Sequence, residues 1–305
     1  MKLKNAVDLF LLSYQNPDTR KSHRIVLSHM LKHLDGYLEV DRLRPADLVE
    51  YAAVLDTCDT WSPATRRKYQ KNVKTFFNWL VKIEEIDRSP ARNVIRAKSL
   101  PAYISRDKAI SDDELETMLT WSQFHPRHDA LFKLLRDSGC RIGGAAGLRV
   151  DDIDFERNVA FVTEKGDKSR LIAFGVECAN AIRVWLLQRR AGAGPVVFSI
   201  TGRPIKAASL AQLVSAAAKK LGLRALGPHH FRHRKGHQLA DAKVAPSIAA
   251  TALGHSGPDI TLKHYYPADW ETAEQHLRAL TQADEARQPK QVLKLPIDNR
   301  RKAGG

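Results

Sequence analysis

The sequence predicts a mainly α-helical protein of two domains, of which only the second contains strands, arranged as a small antiparallel sheet. Apolar residues recur at three- and four-residue steps along most of the chain, the spacing of helices buried on one face. Strand-like runs rich in Val, Phe, Ile and Leu occur only at 158–163 and 169–174. The helical periodicity lapses over 92–107, and 305 residues suffice for two cores. We therefore expect domains at 1–91 and 108–288, a linker at 92–107 and a tail at 289–305.

Residues 1–91 are expected to form a compact all-α domain of four helices. The clearest helix opens at Ser62-Pro63, because a serine cap followed by proline at the first helical position marks a helix start. From Tyr69 to Val81, apolar residues then recur on one face. The three earlier helices are expected near 5–15, 18–35 and 45–57.

The helix that begins after Ser62 also carries a basic stripe. Arg67, Lys71 and Lys74 lie three or four residues apart, so a helix brings them onto one face, away from the apolar face. Such a stripe suits the phosphate backbone of a nucleic acid, but an ordinary solvated helix face has the same pattern. The sequence leaves both interpretations open.

The second domain is expected to begin with a helix at Ser111, since Ser111 and Glu114 have the spacing of a capping box. The next helix, over 127–138, ends at Gly139, a residue common at helix ends. Residues 164–168 then join the two strands as a hairpin turn. Further helices are expected from about 176, over 207–221 and, beyond Tyr266, over 270–287.

The charge balance favours a polyanionic partner. The 49 Lys and Arg against 34 Asp and Glu leave a formal net charge of +15, which attracts nucleic acid first and anionic membranes second, or serves only to keep the surface soluble. No apolar run approaches the roughly 18–20 residues of a membrane span, and the N-terminus lacks a signal-peptide cleavage site. The three cysteines form no CxxC pair, so we expect neither disulfides nor zinc, and a cytoplasmic location.

Signals for nucleotide or metal cofactors are absent or weak. The chain has no GxxxxGK(S/T) phosphate loop, so ATP use is not indicated. Asp151, Asp152 and Asp154 could hold a metal ion or form an exposed turn, and we favour the turn because a strand follows directly. We therefore expect no cofactor and no metal site.

A set of basic and aromatic residues carries the chemical signal. The set is Arg141 after a helix end, Lys165 at the hairpin tip, His229 and Arg232 three residues apart, and His255 ten residues before Tyr265. Taken singly, each residue is uninformative, because most such side chains are solvated or structural. Their joint order along the chain is the informative observation.

In this order, the motifs resemble those of the tyrosine recombinase (phage integrase) family, over about residues 5–282. The N-terminal domain resembles the family's core-binding domain, especially over 65–80. In the second domain, the family's TGxRxxE and GLxWxDID segments are similar to residues 138–141 and 147–154, its GKGxKxR hairpin to 164–170, its HxLRH motif to 229–233, and its LGH box with the following tyrosine to 253–255 and Tyr265.

The resemblance implies a fold, an activity and partners. The fold would be a four-helix, SAM-like core-binding domain followed by an α+β catalytic domain with a small antiparallel sheet, the two clamping duplex DNA. The activity would be site-specific recombination, in which DNA is cut and rejoined through a 3′-phosphotyrosine link without a cofactor. The partners would be double-stranded DNA with inverted-repeat core sites and further copies of the chain in a homo-tetramer.

The resemblance also assigns roles to the six residues. Tyr265 would be the nucleophile, and Lys165 would protonate the leaving 5′ oxygen. The other four would hold the scissile phosphate or assist proton transfer: Arg141, Arg232, His229 and His255.

One position departs from the family pattern and another leaves a choice. Gly144 stands where the family usually has an acidic residue three positions after the first arginine, so Arg141 lacks an expected local partner. Tyr266 directly follows Tyr265. We favour Tyr265 as the nucleophile for its ten-residue spacing from His255, with Tyr266 as a packing residue at the same helix end.

The residues leave two other functions open. A type IB-like topoisomerase would share the chemistry but relax DNA as a monomer, and a non-catalytic DNA-binding regulator would keep only the fold, an idea supported by Gly144 alone. In the tail, the short apolar stretch 292–297 either packs on a neighbouring subunit or belongs to a disordered segment.

Overall fold

The computed structural model of the chain describes residues 1–95, 104–164, 168–189, 194–201, 203–266 and 278–279. Contacts within the chain divide it into two compact units, Met1–Pro101 and Ala102–Gly305. The division falls inside the predicted linker, 92–107, and each unit has its own buried cluster of apolar side chains. The mainly helical fold with one small antiparallel sheet confirms the predicted fold class.

The first unit contains the four α-helices that the sequence predicts. Ser62 caps the longest of them, and its Oγ accepts a hydrogen bond of 3.2 Å from the main-chain N–H of Thr65. The large rings of Phe10, Tyr51 and Phe76 are fully buried and pack the helices around one core. The helices are α1 (Leu3–Leu12), α2 (Pro17–Met30), α3 (Val49–Thr57) and α4 (Pro63–Lys82).

In the second unit, helices and the sheet share one buried apolar cluster. The predicted capping box is present at its first helix, where Ser111 N–H donates to Glu114 Oε2 at 2.9 Å and Glu114 N–H donates to Ser111 Oγ at 3.2 Å. The described helices are α5 (Asp112–Ser122), α6 (Pro126–Ser138), α7 (Ile142–Gly147), α8 (Val176–Gln188), α9 (Ala207–Lys220), α10 (Pro228–Asp241), α11 (Pro246–Leu253) and α12 (Pro258–Tyr265).

The sheet has three antiparallel strands in the order β1-β2-β3, one more than the sequence predicts. The extra strand, β1 (Ile153–Asp154), has only two residues and is too short to show an alternating pattern. The strands β2 (Val159–Glu164) and β3 (Lys168–Ala173) pair from Val159 opposite Ala173 to Glu164 opposite Lys168. The predicted turn over 164–168 is therefore wrong at both ends, because Glu164 and Lys168 belong to the strands.

Asp151 and Asp152 lie in a single helical turn before the sheet, and Asp154 ends β1. The carboxylate of Asp152 accepts a hydrogen bond from the main-chain N–H of Arg149, and that of Asp154 accepts from two N–H groups that follow it. Within the described ranges, no group of three or more His, Cys, Asp or Glu side chains is arranged to hold a metal ion. Nor is any described helix long and apolar enough to cross a membrane.

Two predictions fall on residues that the structure does not describe. The helix expected over 270–287 lies outside the described residues except for 278–279, and the tail over 289–305 lies wholly outside them. Both stay predictions.

Candidate active site

One cavity of the second unit, about 620 Å³ in volume, contains most of the predicted catalytic residues. A somewhat larger open cavity of about 710 Å³, bounded by α5, α6 and α8, contains none of them. The sixth predicted residue, Lys165, lies outside the described residues, after Glu164 at the end of β2. The five that line the first cavity are Arg141, His229, Arg232, His255 and Tyr265.

Arg141 faces the cavity because α6 ends abruptly at Gly139, two residues before it. Gly139 ends this helix with a φ of +57°, a left-handed conformation that favours glycine. A Cβ at Gly139 would also lie 2.8 Å from the Cβ of Lys235 on α10, so a larger residue would force the two helices apart. Arg141 then occupies the N-cap position of α7, two residues further on.

Helix α10 contributes three lining residues from one face. His229, Arg232 and His233 lie in its first two turns, and their spacing of three and four places them side by side. Sequence reasoning finds the first two and misses His233. Its four-residue spacing from His229 is a signal that would have placed it on the same face.

Arg232 is a buried cation held by main-chain carbonyl groups. Its side chain is almost fully buried, and Nη1 donates to the oxygen of Gly139 at 3.0 Å and Nη2 to that of Leu253 at 2.5 Å. Burial, together with the nearby charge of Arg141, lowers the pKa of Arg232 to about 10, so the guanidinium is still charged at neutral pH. A desolvated charge of this kind gains strongly from an anion that enters the cavity.

Arg141 has an acidic partner that the sequence did not predict. Its main-chain N–H donates to Glu164 Oε1 at 3.0 Å, and its Nη1 pairs with Glu164 Oε2 and donates to the oxygen of Gly254 at 2.8 Å. Arg141 lacks the local partner on α7, as the sequence indicates, but it is still paired, because β2 supplies the carboxylate. The signal was available: strand alternation puts Glu164 on the same buried face as Ala160 and Val162.

Tyr265, the last residue of α12, is buried inside the cavity. Its side chain is 3% exposed, its ring packs against Gly236 of α10, and its hydroxyl lies 3.1 Å from Nδ1 of His233. Burial raises the pKa of Tyr265, whereas the charges of Arg232 and Arg141 act in the opposite direction. The two arginines therefore favour the ionised form of this hydroxyl.

The hydroxyl of the neighbouring tyrosine points elsewhere. Tyr266 donates a hydrogen bond of 2.5 Å to the carbonyl of Val244, in the connection between α10 and α11, and does not line the cavity. This placement fits the packing role considered for Tyr266. The choice of Tyr265 as the nucleophile stays a prediction.

Three histidines that line the cavity, His229, His233 and His255, have lowered pKa values and are neutral at physiological pH. Desolvation and the charges of Arg232 and Arg141 lower the pKa of His255 to about 4, and Nδ1 of His255 lies 2.7 Å from Oγ1 of Thr261. His229 is exposed at the rim, and partial desolvation with the same two charges lowers its pKa as well. Desolvation and neighbouring histidines lower the pKa of His233 to about 4. Neutral imidazoles can accept a proton, and a bound phosphate would raise these pKa values by opposing the arginine charges.

The arrangement suits nucleophilic attack on a phosphodiester. Negative charge builds on the phosphate oxygens during attack, and fixed guanidinium groups stabilise it where water is excluded. Arg141 and Arg232 supply that charge, Tyr265 supplies a buried hydroxyl, and His233 lies within hydrogen-bond distance of it.

The basic stripe of the first unit lies on α4, opposite its buried apolar face. Arg67 and Lys71 are exposed and Lys74 is partly exposed, and none of the three forms an ion pair with a described residue. The apolar residues of the same helix, including Val73 and Phe77, are fully buried in the core. The three cations are therefore available to an external anion.

The sequence is similar to curated bacterial recombinases. It is 29% identical over 206 residues to the tyrosine recombinase XerC of Corynebacterium glutamicum, covering 66% of this chain and 67% of that protein. It is 31% identical over 201 residues to the tyrosine recombinase XerC of Mycobacterium sp. (strain KMS), covering 60% of this chain and 65% of the relative. The chain thus spans about two thirds of the length of the curated relatives that it matches.

The fold is similar to that of solved integrases. The Tn1549 transposon integrase in complex with transposon right end DNA superimposes with a TM-score of 0.74 at 19% identity, over 92% of this chain and all of that chain. A lambda integrase dimer bound to a COC' core site superimposes with a TM-score of 0.64 at 14% identity, over 85% of this chain and 96% of the other. At these identities the likeness is one of fold.

A family match covers the unit that holds the cavity. The model of the phage integrase family matches residues 108–271, more than half of the chain, and this range includes Arg141, Arg232 and Tyr265. The chain therefore belongs to the phage integrase family.

Proposed function

We propose that this chain is a site-specific DNA recombinase that cleaves and rejoins DNA through a covalent link to Tyr265. The observation that carries the proposal is the meeting of Arg141, Arg232 and Tyr265 in one cavity, although 91 and 33 residues separate them along the chain. Two fixed cations beside a buried phenol are what attack on a phosphodiester requires.

The reaction proceeds in two balanced steps. The oxygen of Tyr265 attacks the scissile phosphorus and forms a 3′-phosphotyrosine bond, while the bond to the 5′ oxygen breaks and Lys165 protonates that oxygen. A cavity imidazole takes the tyrosine proton. In the second step a 5′ hydroxyl from the partner strand attacks the phosphotyrosine and gives its proton to the neutral Lys165, while the bond to Tyr265 breaks and the imidazolium returns the proton to the tyrosine oxygen. The covalent link retains the energy of the phosphodiester bond, so no ATP is consumed.

The two arginines reduce the free energy needed to ionise Tyr265. Ionising an ordinary tyrosine, with a pKa near 10, costs about 4 kcal/mol at pH 7. Burial adds to this cost for Tyr265, and the positive charges of Arg232 and Arg141 reduce it. His229 and His255, which line the same cavity, assist proton transfer and phosphate contact in this scheme.

The substrate is double-stranded DNA with inverted-repeat core sites, and the working form is a homo-tetramer that holds two such sites together. Family membership supports both statements, and the net charge of +15 supports a polyanionic substrate. The three cysteines are unpaired thiols, which fits DNA recombination in a reducing cytoplasm.

A nicked suicide substrate tests the proposal. Cleavage releases a short fragment that diffuses away, so the covalent intermediate accumulates and migrates as a protein–DNA adduct on a denaturing gel. A supercoiled plasmid without a recombination site is the control for the topoisomerase alternative. Efficient relaxation of that plasmid would favour the topoisomerase, and no adduct on any candidate site would favour the DNA-binding regulator.

Cleavage is expected to persist in excess EDTA. The charge that balances the phosphate comes from arginines, where a metal-dependent nuclease would have clustered carboxylates. The measurement is the adduct yield on the suicide substrate with and without EDTA, and then with added magnesium. Loss of the adduct on chelation, restored by magnesium, would contradict the tyrosine mechanism.

Replacing Arg67, Lys71 and Lys74 together by glutamine is expected to flatten the salt dependence of DNA binding. Each lost phosphate contact reduces the slope of log K against log salt by about 0.9. The matched control replaces Lys21, Arg24 and Lys32 of the same unit, which removes equal charge from other exposed positions. Equal effects of both triple variants would mean that net charge, and not this face of α4, governs binding.

A further inference from the structure

Glu164 is a buried carboxylate in the cavity that the scheme above does not use. Its side chain is 3% exposed, and both of its oxygens are held. Oε1 accepts from the main-chain N–H of Arg141 at 3.0 Å and from Nη2 of Arg170 at 3.2 Å, and Oε2 pairs with Nη1 of Arg141. Burial alone would raise the pKa of Glu164, but the bond from the Arg141 main chain and the two arginine charges outweigh it and lower that pKa, so the group is ionised.

Glu164 and Val162, both on β2, border the space that a side chain at Gly144 would enter. A Cβ built on Gly144 would lie 3.4 Å from Cγ of Glu164 and 3.2 Å from Cβ of Val162. Gly144 is on α7, three residues after Arg141, and is itself buried. The site therefore has room for one carboxylate beside Arg141, delivered either by β2 or by α7.

Glu164 holds one end of the Arg141 guanidinium and leaves its other nitrogen atoms available to a ligand. Nη1 of Arg141 carries the contacts to Glu164 and to the oxygen of Gly254. Nε and Nη2 have no hydrogen-bond acceptor among the described residues, and 36% of the side chain is exposed. A planar guanidinium anchored on one edge presents its remaining donors in a fixed direction, which suits a phosphate.

Glu164 also links a second arginine to the site. Arg170, on β3, has a side chain that is only 10% exposed, and its Nη1 donates to the oxygen of Ala252 on α11 at 2.5 Å. Glu164 is the only carboxylate among the described residues that line the cavity. Without it, three guanidinium groups would lie close together with no anion between them, and Arg141 would turn away.

We propose that Glu164 is a positioning residue that orients Arg141 toward the scissile phosphate, taking the place of a carboxylate that α7 lacks at Gly144. The proposal rests on the proposed recombinase function for its effect on cleavage, but the orientation of Arg141 can be measured without DNA. Glu164 acts through Arg141 and does not itself touch the substrate.

The first test compares Glu164→Ala, the near-isosteric Glu164→Gln, and the double variant E164A/G144E. Single-turnover cleavage of the suicide substrate is measured at saturating DNA, together with the DNA dissociation constant and the melting temperature. We expect E164A to cleave about a hundredfold more slowly, the loss typical of a misplaced group, with a nearly unchanged dissociation constant. The double variant should recover most of the rate, because it returns a carboxylate to the same space from the helix.

Two controls separate positioning from general effects. Glu156→Gln removes an exposed carboxylate just before β2 and should leave the cleavage rate unchanged. Gly144→Glu alone puts two carboxylates into a space for one and should reduce the rate. If E164A does not fold, Glu164→Gln keeps the shape of the side chain while removing its charge, and its cleavage rate and dissociation constant are compared directly with those of the wild type.

The second readout is the Nη1–H signal of Arg141 in the DNA-free protein, because Nη1 donates to Glu164 and to the oxygen of Gly254. It is observed by nuclear magnetic resonance and assigned by its absence in Arg141→Lys. A fixed side chain gives a sharp, slowly exchanging signal. That signal should be lost in E164A and return in E164A/G144E. If the wild-type protein forms no adduct on DNA, the recombinase function is refuted. The signal of Arg141 still tests in that case whether Glu164 positions Arg141. An unchanged signal and an unchanged cleavage rate in E164A would overturn the positioning role alone.

Discussion

Replacing Tyr265 by phenylalanine is expected to abolish the covalent protein–DNA adduct while leaving the affinity for DNA nearly unchanged. The change removes only the hydroxyl oxygen that would attack the phosphorus, and the ring can keep its place against Gly236. The lost hydrogen bond to His233 should cost about 1 kcal/mol of folding free energy. Adduct yield on the nicked suicide substrate and a band-shift titration measure the two quantities separately.

The matched control is Tyr266→Phe, which removes the same atom from the next residue. Its hydroxyl donates to the carbonyl of Val244 outside the cavity, so we expect a normal adduct yield and a loss of stability of about 1 kcal/mol. Mass spectrometry of the wild-type adduct should then place the phosphotyrosine at Tyr265. A phosphotyrosine at Tyr266, or an adduct formed by Tyr265→Phe, would reverse the assignment.

Local signals in the sequence predict the four helices of the first unit and α5, α6, α8 and α9, but they give no range for α7, α10, α11 or α12. Ser62, Ser111 and Gly139 mark helix ends because capping depends on side chains and backbone angles within one turn, and all three behave as predicted. The strand pattern likewise predicts β2 and β3. The two-residue strand β1 was not predictable, because so short a segment exists only by pairing with its neighbour.

Five of the six residues identified by their order along the chain meet in one cavity, but their partners are brought to them by the packing of separate elements. The hydrogen bond between Tyr265 and His233 depends on how α12 packs on α10, which no local pattern encodes. The pairing of Arg141 with Glu164 spans 23 residues and three elements. Gly144 therefore indicated a missing partner when considered alone, although the structure supplies the carboxylate from β2.

The position of Tyr265 depends on a glycine in the middle of α10. A Cβ built on Gly236 would lie 2.4 Å from Cζ of the Tyr265 ring, and 2.5 and 2.7 Å from two further ring carbons. Glycine inside a helix costs roughly 1 kcal/mol relative to alanine, so the residue is poorly suited to the helix itself. Because Gly236 has no side chain, the Tyr265 ring can lie directly against the backbone of α10, in a space that we call the slot. The ring of His237 meets the ring of Tyr265 edge-on, with ring centroids 5.3 Å apart.

Replacing Gly236 by alanine is therefore expected to reduce adduct formation by about a hundredfold or more, because the added methyl group must displace the reacting ring. The α10 helix itself should be favoured by the change, so lost activity would not reflect a weaker helix. Gly147→Ala at the end of α7 is the matched control, since a Cβ there meets nothing within 4 Å, and it should leave the adduct rate unchanged. Single-turnover cleavage at saturating DNA, with melting temperatures for both variants, makes the comparison. A wild-type rate for Gly236→Ala would mean that Tyr265 leaves this slot before it attacks, and that the buried arrangement is a resting one.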